Sequence, residues 1–132
     1  MTAAGEVEQA NRSFYAAFEA RDLDAMAGVW EQSERATVTH PGWPTLRGWV
    51  EVARSWERIF DHTPYIQFFL TEEQIQVEGE VAWVTLFENI LQEVGRAGAN
   101  LSEARVAATN VFVHRGGRWW MVLHHGSPVA GE

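Results

Sequence analysis

The sequence predicts one α+β domain, residues 1–132, in which N-terminal helices pack on one face of a strongly curved antiparallel or mixed sheet. Three observations lead there. Apolar residues recur every three to four positions through the first sixty residues. Past Asp61-His62-Thr63-Pro64 the period drops to two. The strands that follow are separated by glycine-bearing turns, the pattern of a meander.

The first helix is expected over Glu6–Ala20, where Val7, Ala10, Phe14, Ala17 and Phe18 form one stripe. Asp22 is a candidate N-cap for a second helix, whose apolar stripe is Met26, Val29 and Trp30. Arg35–His40 reads as a short strand stopped by Pro41-Gly42. A third helix is expected over Thr45–Phe60, with Trp49, Val52, Trp56, Ile59 and Phe60 on one side. Strands are then expected at Ile66–Leu70, Gln74–Glu78, Val81–Val94, Arg105–His114 and Arg118–His125. Gly79-Glu80 is a hairpin turn, and Arg115-Gly116-Gly117 suits a three-residue loop. That loop would set Asn110 opposite Val122 and Ala108 opposite His124. The loop Gly95–Leu101 leaves the preceding register open.

The last strand carries apolar groups on both faces. Strict alternation puts Trp120, Val122 and His124 on one side and Trp119, Met121, Leu123 and His125 on the other. A strand covered on both sides implies a pocket on one face of the sheet and a partner on the other. Trp83, Phe87, Trp119, Met121 and Leu123 would make an outer apolar patch too large for a monomer, so a homodimer is expected.

Composition narrows the function. The net charge is −8 with all ten bases arginine and no basic cluster, which argues against nucleic acid and anionic membrane surfaces as partners. The absence of cysteine removes disulfides and thiol chemistry. No apolar run is long enough to span a bilayer, and Met1–Glu8 has acids but no base, unlike a secretory leader. A cytoplasmic location is the default expectation. There is no glycine-rich phosphate loop and no metal signature, so neither a cofactor nor a metal is expected.

His40 is the first candidate base, since imidazole titrates near neutrality and this one sits at the end of a strand. Glu88 interrupts the run Ala82–Ile90, where an unpaired carboxylate is costly. It either faces a polar pocket shared with Asn110 and His124 or pairs with an arginine such as Arg105. Asn110 could donate to a developing oxyanion or satisfy strand-edge backbone. His124 and His125 point apart and cannot share one ion; a metal would need His40, His124 and Glu88 to converge. His62 and His114 are placed in exposed turns. Trp49 and Trp56 lie two helical turns apart, a stripe that serves a core or a cavity. Trp43, between Gly42 and Pro44, could gate a pocket lined by Trp56, Glu88, Asn110, Val122 and His124, with Phe112 and Trp120 deeper.

Several segments in order, Phe14-Tyr15, Arg21–Met26, Ala36–Gly42, Gly48-Trp49 with Ser55-Trp56, and Gly117–Trp119 through Ser127-Pro128, resemble the NTF2-like superfamily over nearly the whole chain. This superfamily of cystatin-like cones includes ketosteroid isomerases, SnoaL-like cyclases and the association domain of calcium/calmodulin-dependent kinases. The ending His124-His125-Gly126-Ser127-Pro128 looks most like the SnoaL-like proteins and the association domain. The resemblance implies a general base at His40-Pro41, where the isomerases carry Asp-Pro. It implies Asn110 where they carry an oxyanion aspartic acid, and Phe14 where they carry a tyrosine, with Tyr15 one position off. These departures argue against steroid isomerisation. The expectation is a small-molecule pocket protein of SnoaL-like type, an isomerase, cyclase, dehydratase or hydrolase working by cofactor-free acid–base catalysis on a small apolar or aromatic substrate. The alternative is a non-catalytic binding or association module.

Overall fold

The computed structural model describes residues 2–96, 98 and 100–130. Three helices, α1 (Ala3–Ala20), α2 (Leu23–Ala27) and α3 (Trp49–Asp61), accompany six strands: β1 (Thr37–Thr39), β2 (Leu46–Arg47), β3 (Tyr65–Glu78), β4 (Val81–Glu93), β5 (Ser102–Arg115) and β6 (Arg118–Pro128). The strands form one curved mixed sheet in the order β2-β1-β6-β5-β4-β3, with β1 parallel to β6 and the other pairs antiparallel. Residues 97 and 99 of the Gly95–Leu101 loop lie outside the described residues.

Local signals explain the helices. Thr2 caps α1 by accepting from the Gly5 amide at 3.0 Å. Arg21, at φ 50, ends it with its amide on Phe18 while the Asp22 amide returns to Ala17. Asp22 caps α2 through the Ala25 amide at 3.0 Å. The third helix is shorter than the periodicity suggests. Leu46–Arg47 is drawn off to pair with β1, Thr39 and Thr45 share a 2.7 Å hydroxyl contact, and the helix begins after Gly48 at φ 87.

The core lies between α1, α3 and the concave face of the sheet. Phe14, Trp56, Trp30 and Phe112 are fully buried there. Each contributes about 2–3 kcal/mol by area. Phe14, Phe18 and Trp56 meet edge-on with centroids 5.0–6.1 Å apart.

Two bulges decide which side chains reach that core. In β3 the register shifts between Thr71 and Gln74, so Glu72 and Glu73 together stand opposite one residue of β4. The two strands expected there are thus a single strand with a bulge at the expected break. Inward residues change from Ile66, Phe68 and Leu70 to Ile75 and Val77. Glu72 takes φ 55, which costs a non-glycine residue about 1 kcal/mol.

In β6 the register shifts between Val111↔Leu123 and Phe112↔Met121, leaving Val122 as the extra residue. The turn before it is a two-residue Gly116-Gly117 loop with φ 60 and 83, not a three-residue one. Asn110 therefore pairs directly with His124 rather than with Val122. The bulge also moves the first half of the strand by one face. Trp119 and Met121 join the core, while Trp120 turns outward, half-buried under Arg118, whose guanidinium lies 3.8 Å from its ring centroid. The outer patch consequently loses Trp119 and Met121 and keeps Trp83, Phe87 and Leu123. His114 lies within β5, half-buried against Trp119, while His62 is exposed at the end of α3.

Candidate functional site

The inward faces of β4, β5 and β6 bring Glu88, Asn110 and His124 together beneath α1. Glu88, Asn110 and His124 are 3%, 0% and 2% exposed. Glu88 does not pair with Arg105, which sits outward against Glu72 at 3.7 Å and over Phe87. Its Oε2 instead accepts from the Tyr15 hydroxyl at 2.6 Å and lies 4.0 Å from His124 Nε2.

The hydrogen-bond directions can be worked outward from the carboxylates, which only accept when ionised. Tyr15 donates to Glu88, so its oxygen is free to accept from Asn110 Nδ2 at 3.2 Å. The other Asn110 Nδ2 proton goes to Asn11 Oδ1 at 2.8 Å, and Asn11 Nδ2 donates to Glu73 Oε2 at 3.0 Å. Asn110 Oδ1 therefore faces His124 Nδ1 at 2.5 Å, and Nδ1 carries the proton. The Nε2 lone pair of His124 is left pointing toward Glu88. Both amide protons of Asn110 are engaged, so it acts here as an orienting group.

Burial sets the electrostatics. It raises the Glu88 carboxyl to about 7, partly opposed by the Tyr15 hydrogen bond. It pushes His124 well below the usual imidazole range, with the neighbouring His40 and His125 adding to the effect. The Tyr15 hydroxyl is pushed upward by burial and then by the Glu88 charge. Near neutral pH the Glu88 carboxyl can therefore either hold or release its proton, beside an imidazole kept uncharged in the same apolar cage.

His40 follows β1, whose Val38 pairs with His124, and points the same way two residues later. Pro41 packs over Gly126, where an added Cβ would come within 3.1 Å of the proline ring. The His40 ring is 4.7 Å from Trp56 and 6.5 Å from His124, centroid to centroid. Its Nε2 contacts Ser55 Oγ at 2.9 Å, and Ser55 gives its own proton to the Val52 carbonyl at 2.6 Å. His40 Nε2 is therefore a donor and Nδ1 holds the lone pair. Burial lowers this imidazole to about 4.

Trp56 fills the space beside both histidines, and its buried indole N–H has no acceptor among the described residues. Such a donor costs about 1–3 kcal/mol when unmatched. Trp43 lies 5.0 Å from His40, under the Arg58 guanidinium. Together with Gly42, Pro44, Leu46, Glu51, Arg54, Ser55 and Arg58 it lines a surface cleft, and Ser55 is the lining residue that bonds the buried His40. Phe112 belongs to the same core as Glu88, and Val122 is buried at the bulge. Trp49 packs on Trp30 at 6.2 Å, and Trp120 faces away from the cluster.

The sequence reading gave Tyr15 no role beyond standing one position from the isomerase tyrosine, and it missed Asn11 and Glu73. The helical period held the signal for Tyr15 and Asn11, since Asn11, Phe14, Tyr15 and Phe18 fall at spacings of three and four on the face of α1 toward the sheet. Glu73 left no such signal, because its inward turn comes from the bulge. Among the described residues no group of His, Asp and Glu is arranged to hold a metal. No helix among them is long and apolar enough to cross a membrane.

Comparison with known proteins agrees with this architecture. A candidate dehydratase of the NTF2-like family from Streptomyces avermitilis is 38% identical, covers 97% of this chain and 96% of its own, and superposes with a TM-score of 0.89. A candidate calcium/calmodulin-dependent protein kinase type II association domain from Thiobacillus denitrificans is 30% identical over 93% of this chain and 94% of its own, with a TM-score of 0.78. A ketosteroid isomerase-like protein from Erwinia carotovora shares the fold, with a TM-score of 0.81 at 17% identity, covering 97% of each chain. F-box protein SKIP8 of Arabidopsis thaliana is 30% identical over 89% of this chain, which spans 47% of that protein. The SnoaL-like domain family matches residues 7–131. The α+β cone and this match over nearly the full length establish that the chain belongs to the SnoaL-like domain family of the NTF2-like superfamily.

Proposed function

We propose that the protein is a cofactor-independent acid–base enzyme acting on a small apolar or aromatic substrate, with loss of water as its most fitting reaction. The observation that carries this is the buried Glu88 carboxyl, with no cation beside it among the described residues, 4.0 Å from the uncharged His124 and inside the aromatic cage that also holds His40. The 38% identical structure from Streptomyces avermitilis, a candidate dehydratase, points to the same reaction class.

In this reading a substrate enters by the Trp43 cleft and lies between His40 and Glu88. The Trp56 N–H donates to a substrate oxygen. His40 Nδ1 removes a proton from carbon as neutral Glu88 protonates the departing hydroxyl, which leaves as water. Glu88 then regains a proton and His40 loses one by exchange with water, while His124, its Nδ1 proton held by Asn110, keeps its Nε2 lone pair toward Glu88. The cage is occupied by Trp56, Phe14 and Phe18, so the ring of Trp56 must swing to admit substrate.

The test is a screen of small hydroxylated aromatic and alicyclic compounds with wild type, Glu88→Gln and His40→Ala, alongside thermal melts. Turnover should fall ~10²-fold or more in both variants with folding retained. Turnover kept by Glu88→Gln would remove this mechanism, and turnover kept by His40→Ala would remove His40 from it.

The filled interior and the 30% identical association domain favour a second reading, a non-catalytic association module. Either function is compatible with a homodimer through Trp83, Phe87 and Leu123 on the outer face, where Trp83 is 36% exposed. Such an interface should bury at least ~1,000 Å². Light scattering at micromolar concentration that gives only monomer would exclude it.

A further inference from the structure

We propose that Glu73 is a positioning residue that fixes the tautomer of the buried His124 from the rim of the sheet, through Asn11 and Asn110. For its catalytic meaning this rests on the acid–base reading above; the tautomer itself does not.

Glu73 is half-buried, and its carboxylate can only accept. Asn11, fully buried on α1, must therefore present its amide nitrogen to Glu73, as it does at 3.0 Å. Its oxygen is then turned to Asn110, which must answer with nitrogen, at 2.8 Å. The Asn110 oxygen is left for His124 Nδ1, which must carry the proton. The lone pair of His124 consequently falls on Nε2, the nitrogen that faces Glu88. Reversing both amides would bring Asn11 Oδ1 against the Glu73 carboxylate, two acceptors with no proton between them. The same reversal would put the proton on His124 Nε2, and Glu88 would lose the base beside it.

The bulge supports this assignment independently. Had β3 continued without it, Glu72 would point inward and Glu73 outward. The extra residue, with Glu72 held at φ 55, reverses them. Glu72 then meets Arg105 on the outer face while Glu73 reaches Asn11 on the inner one. Tyr15 supplies a second restraint on Asn110, since it donates to Glu88 and accepts from the amide.

The experiment reads the tautomer directly, from ¹⁵N shifts and two-bond couplings of the His124 ring in labelled protein. Wild type and Tyr15→Phe should show the Nδ1–H form alone. Glu73→Gln in the Tyr15→Phe background lets Asn11 face either way, and the Nε2–H form should rise to a third or more of the population. Glu73→Leu in the same background should do likewise and covers a failure of the first pair to fold. A single Nδ1–H form in these folded double variants would overturn the proposal. The readout needs no substrate: a mixed tautomer in the double variants supports the assignment even if every substrate screen is negative.

Discussion

Glu31 and Glu88 are both buried carboxylates, 7% and 3% exposed, yet their protons are held in opposite ways. Glu31 follows the bridge between Trp30 and Met121 at the outer end of the sheet. Arg35 grips it with two hydrogen bonds at 2.7 and 3.0 Å, Ser33 donates at 2.8 Å, and Arg115 stands 3.4 Å away. Those partners, the Arg35 hydrogen bonds first, lower its carboxyl to about 2. Glu88 has a phenol and an imidazole for neighbours and no cation among the described residues, and burial raises it to about 7. Burial dominates at Glu88, while at Glu31 the hydrogen bonds and charge of Arg35 outweigh it. One carboxylate is a structural clamp, while the other is held where a proton can come and go.

The strongest challenge to that contrast is Glu88→Ala. It removes the acceptor of Tyr15 and opens a hole in the aromatic cage, so a loss of about 3 kcal/mol is expected in urea unfolding near pH 5, where the wild-type carboxyl is neutral. A loss below ~1 kcal/mol would mean that Glu88 is not integrated into the core.

The pH dependence separates the two sites by sign. Glu88 binds its proton more tightly folded than unfolded, so its contribution is greatest below the unfolded value near 4.5 and falls as pH rises through about 7. Glu88→Gln mimics the neutral acid. It should therefore be more stable than wild type at pH 8, by about 2 kcal/mol, with the advantage gone at pH 5. Equal slopes for the two proteins between pH 5 and 8 would show that Glu88 is not raised.

Glu31 runs the other way. Its folded value is depressed, so its stabilisation is complete above about 4.5 and is lost as pH falls toward 2. Because the Arg35 side chain is 52% exposed, the whole cluster is worth about 1–2 kcal/mol after screening. Glu31→Gln should lose that amount at pH 7 and little at pH 2.5, by chemical denaturation. Arg115, 63% exposed, is the outer member. Arg115→Ala should cost no more than ~0.5 kcal/mol, and a larger loss would shift the clamp's weight from Arg35 to Arg115.

Local chemistry was enough for the fold. The stripes of α1 and α3, the Asp22 cap and the change of period at Asp61–Pro64 depend on neighbours in sequence and survive in the structure, whereas α2 ends at Ala27 and leaves Val29 and Trp30 of its expected stripe beyond it, Trp30 bridging Met121. The shared face of Asn110 and His124 was legible from alternation, whereas Glu88 was left two choices, a polar pocket with them or an arginine such as Arg105, because the register across the Gly95–Leu101 loop was open. Parity along a strand persists only until an extra residue is inserted, and nothing in Arg118–His125 marks Val122 as that residue. The cross-strand pairing with β5 and the tight Gly116-Gly117 turn impose it, which is why Trp119 and Trp120 exchanged faces. The same holds for Glu73, turned inward by the β3 bulge, and for Tyr15, whose hydroxyl finds Glu88 seventy-three residues away. By itself the sequence determined the elements and the faces of their regular stretches, because propensity and periodicity act over a few residues. Only the tertiary structure decided the bulges and the hydrogen-bond directions in the core, because both are settled between strands and helices distant in the chain.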